Sequence, residues 1–161
     1  MKVTLLGVGG SAGTPQIGGA DGLGDWGELD PSEPRNLRSR PSIAIETPEG
    51  KTLLVDTGPD MRRQLIAAGI GKVDAVFFTH SHADHITGLD DIRILNRLLG
   101  APMPCYTDAF TWGELRRRFD YAFKPYHGGW FTRPVVEVHE VTPGGTAEIL
   151  GMQLRLIDQD H

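Results

Sequence analysis

The stretch FFTHSHADHITGLDDIR, residues 77–93, places His80, His82 and His85 within six positions, with Asp84 among them. The chain has six histidines in all, so half of them fall here. His80 and His82 are two apart. In extended chain such side chains face the same side and can grip one ion. Asp84 and His85 come at the turn into the next helix and are expected to point toward a second ion beside the first. Imidazole and carboxylate together suit Zn, Mn or Fe, and a lone Cys105 leaves no thiolate cluster. A single histidine at a strand end is ordinarily a hydrogen-bonded surface residue. Three at this spacing after an apolar run argue for a metal centre.

Two ions about 3.5–4 Å apart can share a hydroxide and bring its pKa toward neutrality. Such a hydroxide attacks a phosphodiester, a lactone or a thioester, and Asp84 is the candidate catalytic residue that orients it as well as binding metal. A phosphodiester also needs cationic donors for its non-bridging oxygens. Arg38 and Arg40 precede Ser42, with Arg35 before them, and Arg93 follows the histidines. Each arginine has a plainer reading as a surface ion pair, Arg93 with Asp90 or Asp91. The turn GVGGSAGT offers backbone N–H groups to an anion, or is simply a tight turn. The run ELRRRF reads as a solvated helix face or as an RNA contact. His127 lies among loop residues, and His139 alternates toward solvent within VEVHEV.

The elements that must position these residues follow from apolar periodicity. VTLLGV reads as a buried first strand. Residues 9–42 are rich in Gly, Pro, Asp and Arg and show no period. Their 18–40 portion is expected to be poorly ordered or loosely packed. SIAIET and KTLLVDTG flank PEG as a hairpin, and PDMRRQLIAAGI has helical spacing. VDAVFFTH reads as a strand covered on both faces, so the histidines stand where it runs out. GLDDIRILNRLLG begins a helix just past them. MPCYTD, VVEVHEV and MQLRLIDQ read as strands, and TWGELRRRFDYAF as a helix. Strands alternating with helices imply an α/β layered domain.

With 161 residues the chain is one domain's worth, and 39% hydrophobic with 23% charged residues permits a core. A net charge of −5 implies no broad nucleic-acid-binding face. No stretch approaches the ~18 apolar residues of a membrane span, and the first apolar run meets glycines before it could form a signal sequence. The expected address is the cytoplasm.

The motif THSHADH, with VDTG upstream, resembles the signature of the metallo-β-lactamase superfamily. LLGVGGSAGTP, NLRSRPSIAIE, LLVDTGPDMRRQL and HADHITGLDDIRILN resemble its phosphoribosyl cyclic phosphate phosphodiesterase branch, and the N-terminal pattern is similar to that of transfer-RNA 3′-processing endonucleases. The resemblance implies a four-layer αββα sandwich, of which residues 1–161 would form a single, incomplete domain: the N-terminal half to two-thirds. It implies that His80, His82 and His161 hold the first of two divalent ions, Zn or Mn, and that Asp84 and His85 hold the second. Asp56 of VDTG would stand behind them and accept an N–H from a ligand histidine; its alternative is a turn residue before Gly58. The family's bridging Asp and last His belong to a second half that would follow His161, so one ion or none is expected in this chain. Where the branch often has WG-x-CDP, this chain has WGELDP, with Leu29 at the cysteine position, so an accessory zinc site there is not expected.

The expected function is a metal-dependent hydrolase, a phosphodiesterase acting on a small cyclic phosphate or nucleotide. Alternatives are an RNA-processing nuclease, a lactonase or thioesterase, and a non-catalytic metal-binding fragment. The expected partner is a small phosphorylated substrate, with no membrane; nucleic acid is not the expected partner but stays open, as does a homodimer.

Overall fold

The computed structural model describes residues 1–125 and 134–159. Its centre is a six-stranded sheet in the order β1 (Lys2–Gly7), β2 (Ser42–Glu46), β3 (Thr52–Val55), β4 (Ala75–Phe77), β5 (Met103–Thr107), β6 (Val136–Glu140). The first three strands are antiparallel and the last four run parallel. The change of direction follows from the connections. A short turn joins β2 to β3, whereas helical crossovers separate the later strands, and parallel strands require such crossovers. The crossovers contain α1 (Met61–Ala67), α2 (Ala83–Ile86) running on through a 3₁₀ segment to α3 (Ile92–Leu99), and α4 (Ala109–Arg118) with α5 (Asp120–Phe123).

Register decides which side chains meet which layer. Leu54, Val76 and Cys105 share a row on one face and enter a core with Phe78, Ile86, Leu89, Ile92, Trp112 and Leu115. Leu53 and Ala75 face the other way and pack with Ile149 and Leu154 of a hairpin, β7 (Thr146–Ile149) and β8 (Met152–Arg155). Leu53 and Leu54 are adjacent and both fully buried, which requires cover on both faces of β3. β8 was legible in the sequence; β7 was not, because TAEI is short and only weakly alternating.

β1 departs from the reading as a buried strand. It lies at the sheet edge, and Val3 and Leu5 are 51% and 68% exposed. Those residues share the hairpin-side face with Ile43, Ile45 and Val55. The hairpin covers the centre of that face rather than its β1 edge.

The long segment before β2 is also only partly as expected. No side chain from Gly18 to Arg40 is buried, so its packing is loose. Its backbone is nevertheless stitched at defined points, Thr14 pairing with Arg38 and Gln16 with Asp25. Hydrogen bonds and Asx turns such as Leu23 N–H to Asp21 replace apolar contacts there.

Candidate metal centre

β4 ends at Phe77, and the chain then passes Phe78, buried under Trp112, before reaching the histidines. His80 lies in the loop, and His82 is the N-cap of α2. Asp84 and His85 are therefore inside the first helical turn rather than in a turn before it. The four side chains are brought together. Ring centroids are 4.6 Å apart for His80 and His82 and 4.1 Å for His80 and His85. Asp84 Oδ2 stands 3.4 Å from His85 Nε2.

Behind them sits Asp56, 4% exposed, with φ of +63°. Asp tolerates that left-handed conformation better than most residues. One carboxylate oxygen accepts the Thr79 N–H at 2.8 Å; the other accepts the Thr79 hydroxyl at 2.8 Å and His85 Nδ1–H at 2.7 Å. The Thr79 hydroxyl has one proton and gives it to Asp56, so at 2.9 Å it accepts from His80 Nδ1–H. A single buried carboxylate thus sets both rings in the Nδ1–H tautomer and leaves Nε2 of each as the lone-pair nitrogen, the form a metal ligand needs. The turn-residue alternative for Asp56 is too small an account of these bonds.

The carboxylates around the cluster favour positive charge there. The hydrogen bond to Asp56 raises the His85 pKa against the opposing effect of burial, with the charges of Asp56 and Asp84 adding to it. For Asp84, burial works to raise the pKa, but a hydrogen bond from Ser11 and the nearby charges of His85 and His80 hold it below the usual carboxylate value.

Two close backbone approaches lock this geometry. A Cβ on Gly58 would lie 2.3 Å from the Asp84 carbonyl oxygen, and one on Gly88 would lie 2.3 Å from the Gly58 carbonyl oxygen. The gaps are closed by Thr57 N–H to His85 O and Gly88 N–H to Thr57 O, both 2.7 Å. A second tie comes from α4. Arg118 Nη1 donates to the Ser81 carbonyl at 2.7 Å, between the first two histidines, while Nη2 pairs with Glu114 at 2.7 Å. The sequence reading missed Arg118. Its only signal was a basic run, and that run turns out to divide: Arg117 also pairs with Glu114, and Arg116 lies over the Phe123 ring.

The remaining sequence-predicted residues fare differently. Arg40 pairs with Asp60 at 3.2 Å and donates to the Ser11 carbonyl at 3.1 Å. Arg38 is exposed, its backbone paired with Thr14. Arg93 is exposed on α3. The glycine-rich turn spends the Gly9, Gly13 and Thr14 amides on Ser39, Gly10 and Arg38 carbonyls, as a tight turn does. His139 stacks on Tyr106 at 4.6 Å and pairs with Glu137 rather than standing in solvent alone. His127 and His161 lie outside the described residues.

Among the described residues, no three His, Cys, Asp or Glu side chains stand ready around one point. Two imidazoles holding one ion at about 2.0–2.1 Å would have centroids roughly 5 Å apart, slightly wider than found here. The donor set itself fits a divalent cation: paired Nε2 lone pairs, an ionised carboxylate beside them and a buried carboxylate fixing the tautomers.

A profile of the beta-lactamase superfamily domain matches residues 51–161. The chain belongs to the metallo-β-lactamase superfamily. A crystal structure of a diphosphatase from the PhnP family is similar with a TM-score of 0.78 and 38% identity, covering 95% of this chain and 54% of that one. An octanoyltransferase of Porphyromonas gingivalis is 36% identical, covering 89% of this chain and 27% of that protein. A ribonuclease Z of a Mycobacterium species is 30% identical, covering 80% of this chain and 49% of that protein. This superfamily member thus spans about half the length of the ribonuclease and the diphosphatase it matches. The α/β layering, with helices on one sheet face, agrees with the fold of these relatives. Among the described residues, no helix is long and apolar enough to cross a membrane.

Proposed function

We propose that the protein is a metal-dependent hydrolase of phosphoric esters or anhydrides, acting on a small phosphorylated molecule such as a cyclic phosphate or nucleotide. The observation that carries this is the Asp56–Thr79 relay, which turns His80 and His85 into Nε2 ligands beside Asp84. His80 and His82 would hold one divalent ion, Zn or Mn, with His161 completing that set, and Asp84 and His85 would hold a second. Such ions supply Lewis-acid charge beside a phosphoryl group and ease ionisation of water. Asp84, kept ionised, accepts a proton of the attacking water and so orients it. Asp56 keeps His85 in the ligating tautomer throughout. Arg118 ties down the loop carrying His80 and His82 through the Ser81 carbonyl.

The likeness to a diphosphatase over nearly the whole chain supports a phosphorus centre as the target. The likeness to a ribonuclease Z supports a second reading, RNA processing. Against it stands the division of the 116–118 arginines among Glu114, Phe123 and the Ser81 carbonyl, so that this run presents no row of free cations to a backbone. Turnover of bis-p-nitrophenyl phosphate after reconstitution with Zn or Mn tests the main reading. Cyclic nucleotides, a diphosphate ester and a precursor transfer RNA in parallel separate the substrates. Loss of turnover in His82→Ala is expected. A preference for lactones or thioesters would refute the proposal.

A further inference from the structure

On the helix side of the β1 edge lies a second feature that the metal centre does not use. An open cleft of about 340 Å³ lies between the 12–15 turn, the 37–40 segment and α1. Its wall carries Arg38, Arg40, Asp60, Arg63 and Gln64. Three guanidinium groups face one carboxylate. Asp60 is taken by Arg40, through the ion pair at 3.2 Å and the Arg40 backbone N–H at 3.0 Å. That leaves Arg38 and Arg63 with no carboxylate partner among the described residues. Arg38 is nevertheless held in place, because its backbone exchanges both hydrogen bonds with Thr14, at 2.8 and 2.9 Å.

Gln64 forms the floor between the two segments. It is 6% exposed, and its Nε2 is fixed by bonds to Ser39 Oγ at 2.9 Å and Arg40 O at 2.8 Å. Its Oε1 is buried without a hydrogen-bond partner. Buried acceptors are rarely left so, since the lost bond to water costs about 1–3 kcal/mol.

We propose that this cleft is a binding site for a small molecule bearing a phosphate monoester, its anionic oxygens on Arg38 and Arg63. Two guanidiniums offer more N–H donors than a carboxylate can accept in parallel, and they match the three terminal oxygens of a phosphate. The volume lies within the range of small-ligand clefts. The site adjoins the glycine-rich turn, for Arg40 donates to the Ser11 carbonyl at 3.1 Å. It does not depend on metal.

The test is calorimetric titration of the full chain, freed of metal by EDTA, with glycerol 2-phosphate and separately with acetate. One saturable phosphate site is expected, at least tenfold weaker in Arg38→Gln and in Arg63→Gln, weakened likewise when Ala67→Phe fills the cleft, and unchanged in His82→Ala. Both arginines are exposed, so those variants should keep the wild-type circular dichroism. Binding that survives both arginine changes, binding lost in His82→Ala, acetate binding as tightly as phosphate, or no saturable binding each overturns the proposal. Because no metal is present, a failure here leaves the hydrolase reading untouched, and a failure of turnover leaves this site untouched.

Discussion

Replacing Asp56 by Asn isolates the effect of its charge. The substitution keeps the side-chain shape, and Asn tolerates the φ of +63° as Asp does, so the backbone has little reason to move. What changes is the donor–acceptor balance. Asp56 now accepts three hydrogen bonds, from Thr79 N–H, the Thr79 hydroxyl and His85 Nδ1–H. An amide has one accepting oxygen and one donating NH₂. If the oxygen keeps the Thr79 N–H, the NH₂ faces His85 Nδ1 and the Thr79 hydroxyl. Donor would meet donor unless His85 moves its proton to Nε2, where it can no longer ligate a cation. The Thr79 hydroxyl, freed to donate to His80 Nδ1, would shift that ring the same way. Loss of such a supporting carboxylate weakens metal binding about 10–100-fold, or about 1.4–2.7 kcal/mol. Calorimetry with Zn gives the affinity, and nitrogen-15 shifts of the His80 and His85 rings give the tautomers. An Asp56→Asn protein with wild-type affinity and both protons still on Nδ1 would refute the relay.

Three further outcomes follow from the same geometry. Gly58→Ala drives a methyl against the Asp84 carbonyl and should cost about 2–3 kcal/mol, lowering Tm by about 5–10 °C, as differential scanning calorimetry would show. Arg118→Gln leaves the Ser81 carbonyl without its charged donor and should cost about 1–2 kcal/mol in urea unfolding, whereas Arg117→Gln, on the exposed face, should leave the urea midpoint close to wild type. Asp74 has a lowered pKa: burial opposes this, but the Lys72 ion pair and the Thr52 N–H bond prevail. A depressed carboxylate adds stability above its unfolded pKa of about 3.9 and loses it as pH falls through the folded value. Below about pH 4 the wild type should therefore lose its advantage over Asp74→Asn in denaturant titrations.

The parts of this molecule legible in its sequence are those where a local pattern has one physical solution. The alternation of SIAIE and the doubly apolar TLLV announce β2 and β3, and the apolar AVF places a strand directly before the histidines. The histidine spacing announces the cluster. Contacts between distant segments were not legible. Nothing near Arg118 states that it will reach 37 residues back to Ser81, and nothing in VDTG or HITG states that Gly58 and Gly88 will touch backbone to backbone. Burial of β1 was misjudged for a related reason: an apolar strand reads alike at the centre and at the edge of a sheet, and only the pairing order distinguishes them. Arg40 shows the same limit, since its carboxylate partner, Asp60, lies beyond an intervening hairpin.

The central claim is that His80, His82, Asp84 and His85 are a metal centre. Anomalous diffraction at the zinc edge, on crystals of the protein grown with zinc, tests it most directly. The account predicts density at the cluster, about 2.0–2.2 Å from Nε2 of His80 and His82, with Nδ1 of His80 and His85 still turned to Thr79 and Asp56. Crystals that show anomalous zinc density only away from these four side chains, or ligation through Nδ1 with the Asp56 bond broken, would contradict it.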